Sequence, residues 1–154
     1  MCGDDRMSSA AQASVAQGLF FDDLREGLTG SLSKTVAESD IVKFAEVTGD
    51  TNPVHLDAAY AAGTRFKERI AHGMLSAGLI SAVFGTRIPG PGAIYVSQTL
   101  KFRAPVKIGD KVTAKVEVIS RVPEKKFVTF KTQCLVGDTV VVDGEATLMV
   151  PAKG

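Results

Sequence analysis

The sequence predicts an α+β fold in which an antiparallel sheet curls around one central helix. Three observations predict it. The stretch Met74 to Phe84 is apolar on every side of a helix, through Met74, Leu75, Ala77, Leu79, Ile80, Ala82, Val83 and Phe84, and a helix apolar all round is a buried one. The second half of the chain carries strand patterns: Val112, Ala114, Val116 and Val118 alternate with Thr113, Lys115, Glu117 and Ile119, and the pattern returns over Phe127–Val136 and Thr139–Val150. Gly137-Asp138 joins the last two as a two-residue hairpin turn.

The other elements follow in order. Residues 1–17 are small and polar and read as a disordered leader, which leaves residues 18–152 as one domain. Leu19, Phe20, Phe21 and Leu24 form the first apolar anchor, and Thr29–Val36 alternates weakly, as a strand. From Glu38 to Thr48, Ile41, Phe44, Ala45 and Val47 recur at spacings of three and four, the mark of an amphipathic helix that Gly49 then caps. Asp57 reads as the N-cap of a short helix to Ala62, stopped by Gly63. After the central helix, Pro89, Gly90, Pro91 and Gly92 break the chain, and Ile94, Val96 and Thr99–Phe102 resume it as strand. No internal repeat is visible.

Composition narrows the function classes. At 154 residues the chain has the size of one domain with an adequate core. A net charge of +1 with 23% charged residues lacks the basic face of a nucleic-acid binder. Two cysteines, Cys2 and Cys134, make neither a disulfide framework nor a zinc set, a usage that suits a reducing, cytoplasmic setting. The Met74–Phe84 stretch falls well short of the roughly 18 apolar residues of a membrane span, and the acidic pair Asp4-Asp5 argues against a targeting segment.

Chemistry concentrates around the two histidines, His55 and His72. Asp50 follows the helix-ending Gly49, Pro53 stiffens the loop, and His55 comes five residues after Asp50. Such a loop can aim a carboxylate and an imidazole at one point and hold one water between them, an acid–base pair. The competing reading is structural: Asp after a terminal Gly, and Asn52-Pro53, are ordinary turn chemistry. A metal site at Asp50, His55 and His72 matches no common zinc spacing, and none is expected. Gly73 opens the buried helix, where free amides and the helix dipole favour negative charge; its N–H either receives a developing oxyanion or Gly73 only eases a tight entry.

These residues resemble a known family. Phe44-x-x-Val47-Thr48-Gly49-Asp50-x-Asn52-Pro53-Val54-His55-x5-Ala61 is similar to the hydratase-2 motif of the R-specific enoyl-CoA hydratases, or MaoC-like dehydratases. The likeness continues through Ile70-Ala71-His72-Gly73-Met74, Pro89-Gly90-Pro91-Gly92, Phe102-x-x-Pro105-Val106 and Gly109-Asp110, so that it spans Leu19 to Pro151. It implies a hotdog fold, and reversible addition of water to a trans-2-enoyl thioester to give the (R)-3-hydroxyacyl thioester, in fatty-acid or polyhydroxyalkanoate metabolism. It places the catalytic pair on Asp50 and His55, the oxyanion donor on the Gly73 amide, a loop-holding role on Asn52 and an active-site serine on Ser81. It implies no metal or redox cofactor, since coenzyme A arrives with the substrate, and it implies a homodimer.

Around that pair the acyl chain needs an apolar channel. Leu79, Ile80, Val83 and Phe84 are either its floor or plain core. Ser81 and Phe84, three apart, are expected to share a helix face, on which Phe84 would shorten the channel and favour short to medium chains. Arg65, Lys67, Arg69, Arg87, Lys101 and Arg103 are candidates to meet coenzyme A phosphates. Three other readings stay open: a dehydratase acting on acyl-carrier-protein thioesters, a hotdog acyl-CoA thioesterase, and a non-catalytic acyl-thioester-binding subunit, against which the intact Asp50 and His55 argue.

Overall fold

The alternation that marks strands in the sequence is used by a sheet with one buried face. In strand β4 (Lys111–Val122), Val112, Ala114, Val116 and Val118 are all buried while Lys111, Lys115 and Glu117 face outward. The computed structural model describes residues 18–153; the leader expected over 1–17, with Cys2, lies outside them. Five further strands complete the sheet: β1 (Thr29–Thr35), β2 (Ile94–Gln98), β3 (Lys101–Phe102), β5 (Phe127–Val136) and β6 (Thr139–Met149). Their order is β1-β4-β5-β6-β2, all antiparallel, with β3 also paired to β6. Val136 pairs with Thr139 across the Gly137-Asp138 turn expected from sequence.

Among the described residues, four α-helices accompany the sheet: α1 (Glu38–Thr48), α2 (Pro53–Leu56), α3 (Ala58–Ala62) and α4 (Gly73–Thr86). Asp57 caps α3 as expected, its Oδ1 accepting from the Tyr60 N–H at 3.1 Å. The stretch Pro53–Leu56, read only as a stiff loop, is one helical turn with Pro at its first position. Among the described residues no helix is long and apolar enough to cross a membrane.

Helix α4 packs into the concave side of the sheet against β1, β4, β5 and β6. Ser76, Ala77, Ile80, Val83 and Phe84 face inward and are buried. The expectation of burial all round is corrected on the other side, where Met74, Gly78, Ser81 and Gly85 are exposed along one stripe. The sheet of one chain covers only part of the helix circumference. The open stripe is made mostly of residues too small to register as polar or apolar, so hydropathy alone could not reveal it.

Candidate active site

The Asp50–His55 loop is built by local capping. Helix α1 ends at Gly49, whose φ of 83° is the left-handed conformation that glycine adopts without strain. The chain then turns: the Asp50 N–H donates to Thr48 Oγ1 at 3.2 Å, and the Asn52 N–H to Asp50 Oδ1 at 3.3 Å. Asn52 Oδ1 accepts from the Val54 N–H at 3.1 Å and so caps α2, the helix that carries His55. The turn chemistry expected of this segment is present. The capping that shapes the turn sets the carboxylate and the imidazole on the same rim.

His55 is 8% exposed and oriented by its backbone neighbours. Its Nδ1 lies 2.8 Å from the Ile70 carbonyl, which can only accept, so Nδ1 carries the proton and Nε2 is left with a lone pair. Arg69 braces the same turn, Nε donating to the His55 carbonyl at 2.7 Å while its guanidinium pairs with Glu38 at 3.0 Å. Burial, assisted by the neighbouring His72, holds the His55 pKa below the ordinary imidazole value, although the Ile70 bond and the Asp50 charge act the other way. A neutral imidazole is the form able to accept a proton.

A carboxylate oxygen of Asp50 and one ring nitrogen each of His55 and His72 lie within 4.8 Å of one another. That separation suits one water touching carboxylate and imidazole together. It suits a metal poorly. The two rings are stacked, 3.9 Å apart at 28°, so their in-plane lone pairs run side by side rather than converging.

These groups border a cavity of about 740 Å³. Gly73, at the first position of α4, lines it too, with the free amide of a helix start. A Cβ there would lie 2.7 Å from the Phe102 ring, so glycine is what lets Phe102 close over the helix start. Asp50, His55 and Gly73 are thus brought to one cavity. Asn52 is outside its lining and acts through the loop.

Ser81 and Phe84 are placed apart. Ser81 borders a second groove of about 410 Å³ with Met74, Ala77, Gly78, Tyr95 and Gln98. Phe84 lines neither space. It is 3% exposed and packs edge-on against Phe130 and Tyr95, at 4.8 and 5.2 Å. The shared face expected for the two fails because a three-residue step turns about 60° short of a full circle, enough to cross from the open side of α4 to the sheet. Of the basic residues, Arg65 and Arg103 line the larger cavity. Arg69 is committed to Glu38, and Arg87 reaches the Ser31 carbonyl at 3.4 Å. Sequence reasoning missed Phe66, and it named Phe44 and Phe102 only as motif positions and Arg69 only as a phosphate candidate, not as cavity walls and a brace. The three rings come from different segments, and their meeting at one cavity is a long-range contact that spacing does not encode.

Comparison with known proteins bears on this site directly. The family described as "MaoC like domain" matches residues 23–144. The (R)-specific enoyl-CoA hydratase of Rhodospirillum rubrum is 64% identical over 88% of this chain and 94% of its own length. The 3-hydroxybutyryl-CoA dehydratase of Methylorubrum extorquens is 58% identical over 88% and 86%. Among solved structures, R-hydratase PhaJ1 from Pseudomonas aeruginosa superposes with a TM-score of 0.83 at 49% identity, covering 88% of each chain. Motif, curled sheet and central helix agree with these matches, and the chain belongs to the MaoC-like dehydratase family, with its hotdog fold.

Proposed function

We propose that this chain is a hydro-lyase, an (R)-specific enoyl-CoA hydratase that reversibly adds water to trans-2-enoyl-CoA to give (R)-3-hydroxyacyl-CoA. The observation that carries this reading is the spacing of the Asp50 carboxylate and the His55 ring within 4.8 Å on a cavity that also holds the first amide of α4. Water held between the pair loses a proton to His55 Nε2 as its oxygen bonds the β carbon. The electrons of the double bond move onto the thioester oxygen, where the Gly73 N–H stabilises the enolate. The proton returns from the pair to the α carbon, on the face from which the oxygen came. Atoms balance with water and substrate alone, so coenzyme A is the only cofactor-like group required, and it belongs to the substrate. The names of the two relatives described above, 64% and 58% identical, support the hydratase reading, and the second supports short acyl chains.

A homodimer is supported by the open stripe of α4 and by the edge strand β2, where Ile94 and Val96 are about half exposed. A cytoplasmic enzyme is supported by the buried free thiol of Cys134. The deciding experiment is steady-state hydration of crotonyl-CoA, octenoyl-CoA and crotonyl-acyl-carrier protein, with chiral analysis of the product and a parallel thiol assay. Production of (R)-3-hydroxybutyryl-CoA without thiol release is the expected result. Free thiol release would favour a thioesterase, and preference for the carrier protein would change the handle.

A further inference from the structure

We propose that His72 is a positioning residue, whose buried imidazole holds the Asp50 loop and the His55 ring at one fixed spacing. This inference rests on the hydratase reading above. The three pieces of the site sit on different segments: Asp50 in the loop after α1, His55 in α2 and Gly73 at the start of α4. His72 touches all three. Its Nε2 lies 3.0 Å from the Asp50 backbone carbonyl, its ring stacks on His55 with centroids 3.9 Å apart, and it is bonded through the chain to Gly73. The Phe44 ring supports it at 4.7 Å. Only 2% of His72 is exposed.

The geometry also selects the form of the ring. A carbonyl accepts, so Nε2 of His72 carries the proton. Its Nδ1 is buried without a partner among the described residues. The charged groups of the same cavity are Asp50, Arg65 and Arg103. The clamped His72 ring thereby fixes the distance between the Asp50 loop and the His55 imidazole stacked on it. A residue that only filled space would need neither the Asp50 bond nor the stack.

Two variants separate these roles. His72→Phe keeps a stacked ring and removes the donor to Asp50; His72→Gln keeps a donor and removes the stack. Each leaves His55 as the only histidine in the sequence, so imidazole NMR reads it without ambiguity. The expected result is a fall in kcat of about 10–100-fold for His72→Phe, as small misplacements of catalytic groups cause, with KM for crotonyl-CoA within about threefold. His72→Gln should lie between that variant and the parent. In both, the His55 titration should shift from its parental position and its Nδ1–H tautomer should lose population. Near-parental kcat with an unmoved His55 titration in whichever variant folds overturns the proposal. If the parent enzyme does not hydrate enoyl-CoA, the hydratase reading fails by itself, and the NMR titration still decides whether His72 positions His55.

Discussion

Asp50→Asn tests the catalytic pair with the least collateral change. The substitution removes one negative charge and keeps the side chain's shape. Asn retains an Oδ1 that can accept from the Asn52 N–H, the bond that closes the turn. The bond from His72 goes to the backbone carbonyl and survives. Asp50 is exposed, so the stability change should fall within the roughly 0.5 kcal/mol of ordinary surface substitutions. For a chain of this size that is about 1–2 °C in melting temperature. Activity should behave differently. An acid–base group contributes ~10²–10⁴-fold, equivalent to about 3–5 kcal/mol of barrier at 1.36 kcal/mol per decade. The same variant carries a second readout. The Asp50 charge raises the His55 pKa, so its removal should lower that pKa further and shift the acid limb of the residual activity to lower pH. Steady-state hydration of crotonyl-CoA against pH, beside thermal melting, gives all three numbers. Activity within threefold of the parent would refute the role of Asp50, and an acid limb moving upward would refute the electrostatic coupling.

Three more outcomes are expected. In the parent enzyme, His55 must be neutral to accept a proton and its pKa is held low by burial, so kcat/KM should fall only below the ordinary imidazole value of about 6.5; an acid limb above that value contradicts the assignment. Phe84→Ala should cost about 3–5 kcal/mol, because the ring is buried between Phe130 and Tyr95; a rise in the octenoyl-to-crotonyl efficiency ratio with little loss of melting temperature would instead put Phe84 in the acyl channel. Light scattering should give twice the 16.2 kDa chain mass, and a stable monomer at micromolar concentration would remove the homodimer.

How much of this was legible in the sequence depends on whether the information is local. Strand β4 was legible because a sheet with one buried face writes a period of two directly into Val112, Ala114, Val116 and Val118. Helix α4 was legible as a buried element but not in orientation. Its composition separates the sheet-facing Ile80 and Phe84 from the open Gly78 and Ser81 only weakly, and glycine and serine take their surroundings from the partner elements. The same weakness explains the pairing of Ser81 with Phe84 on one face. Relative angle on a helix follows from spacing, but which angle meets the sheet does not.

The loop from Gly49 to His55 is the opposite case, because nearly all of its geometry is set within those seven residues. Gly49 turns the chain, Asp50 and Asn52 bond the amides that follow them, and Pro53 starts the turn that carries His55. Every one of those contacts spans one to three positions, so residue identity and spacing suffice to infer them. What fixes the loop against the rest of the molecule is long-range: the Ile70 carbonyl on His55, the Arg69 brace, and the His72 ring, 15, 14 and 17 positions away from His55. Those three come from one segment, Arg69 to His72, which is itself tied down where the Ala71 N–H donates to the Val106 carbonyl at 2.7 Å. The segment that delivers Gly73 to the cavity is therefore also the one that orients His55. Gly73 and His55 are both set by a single strip of backbone, so a shift in that strip must move both together, and the spacing of Asp50 and His55 is a property of the fold rather than of the loop alone.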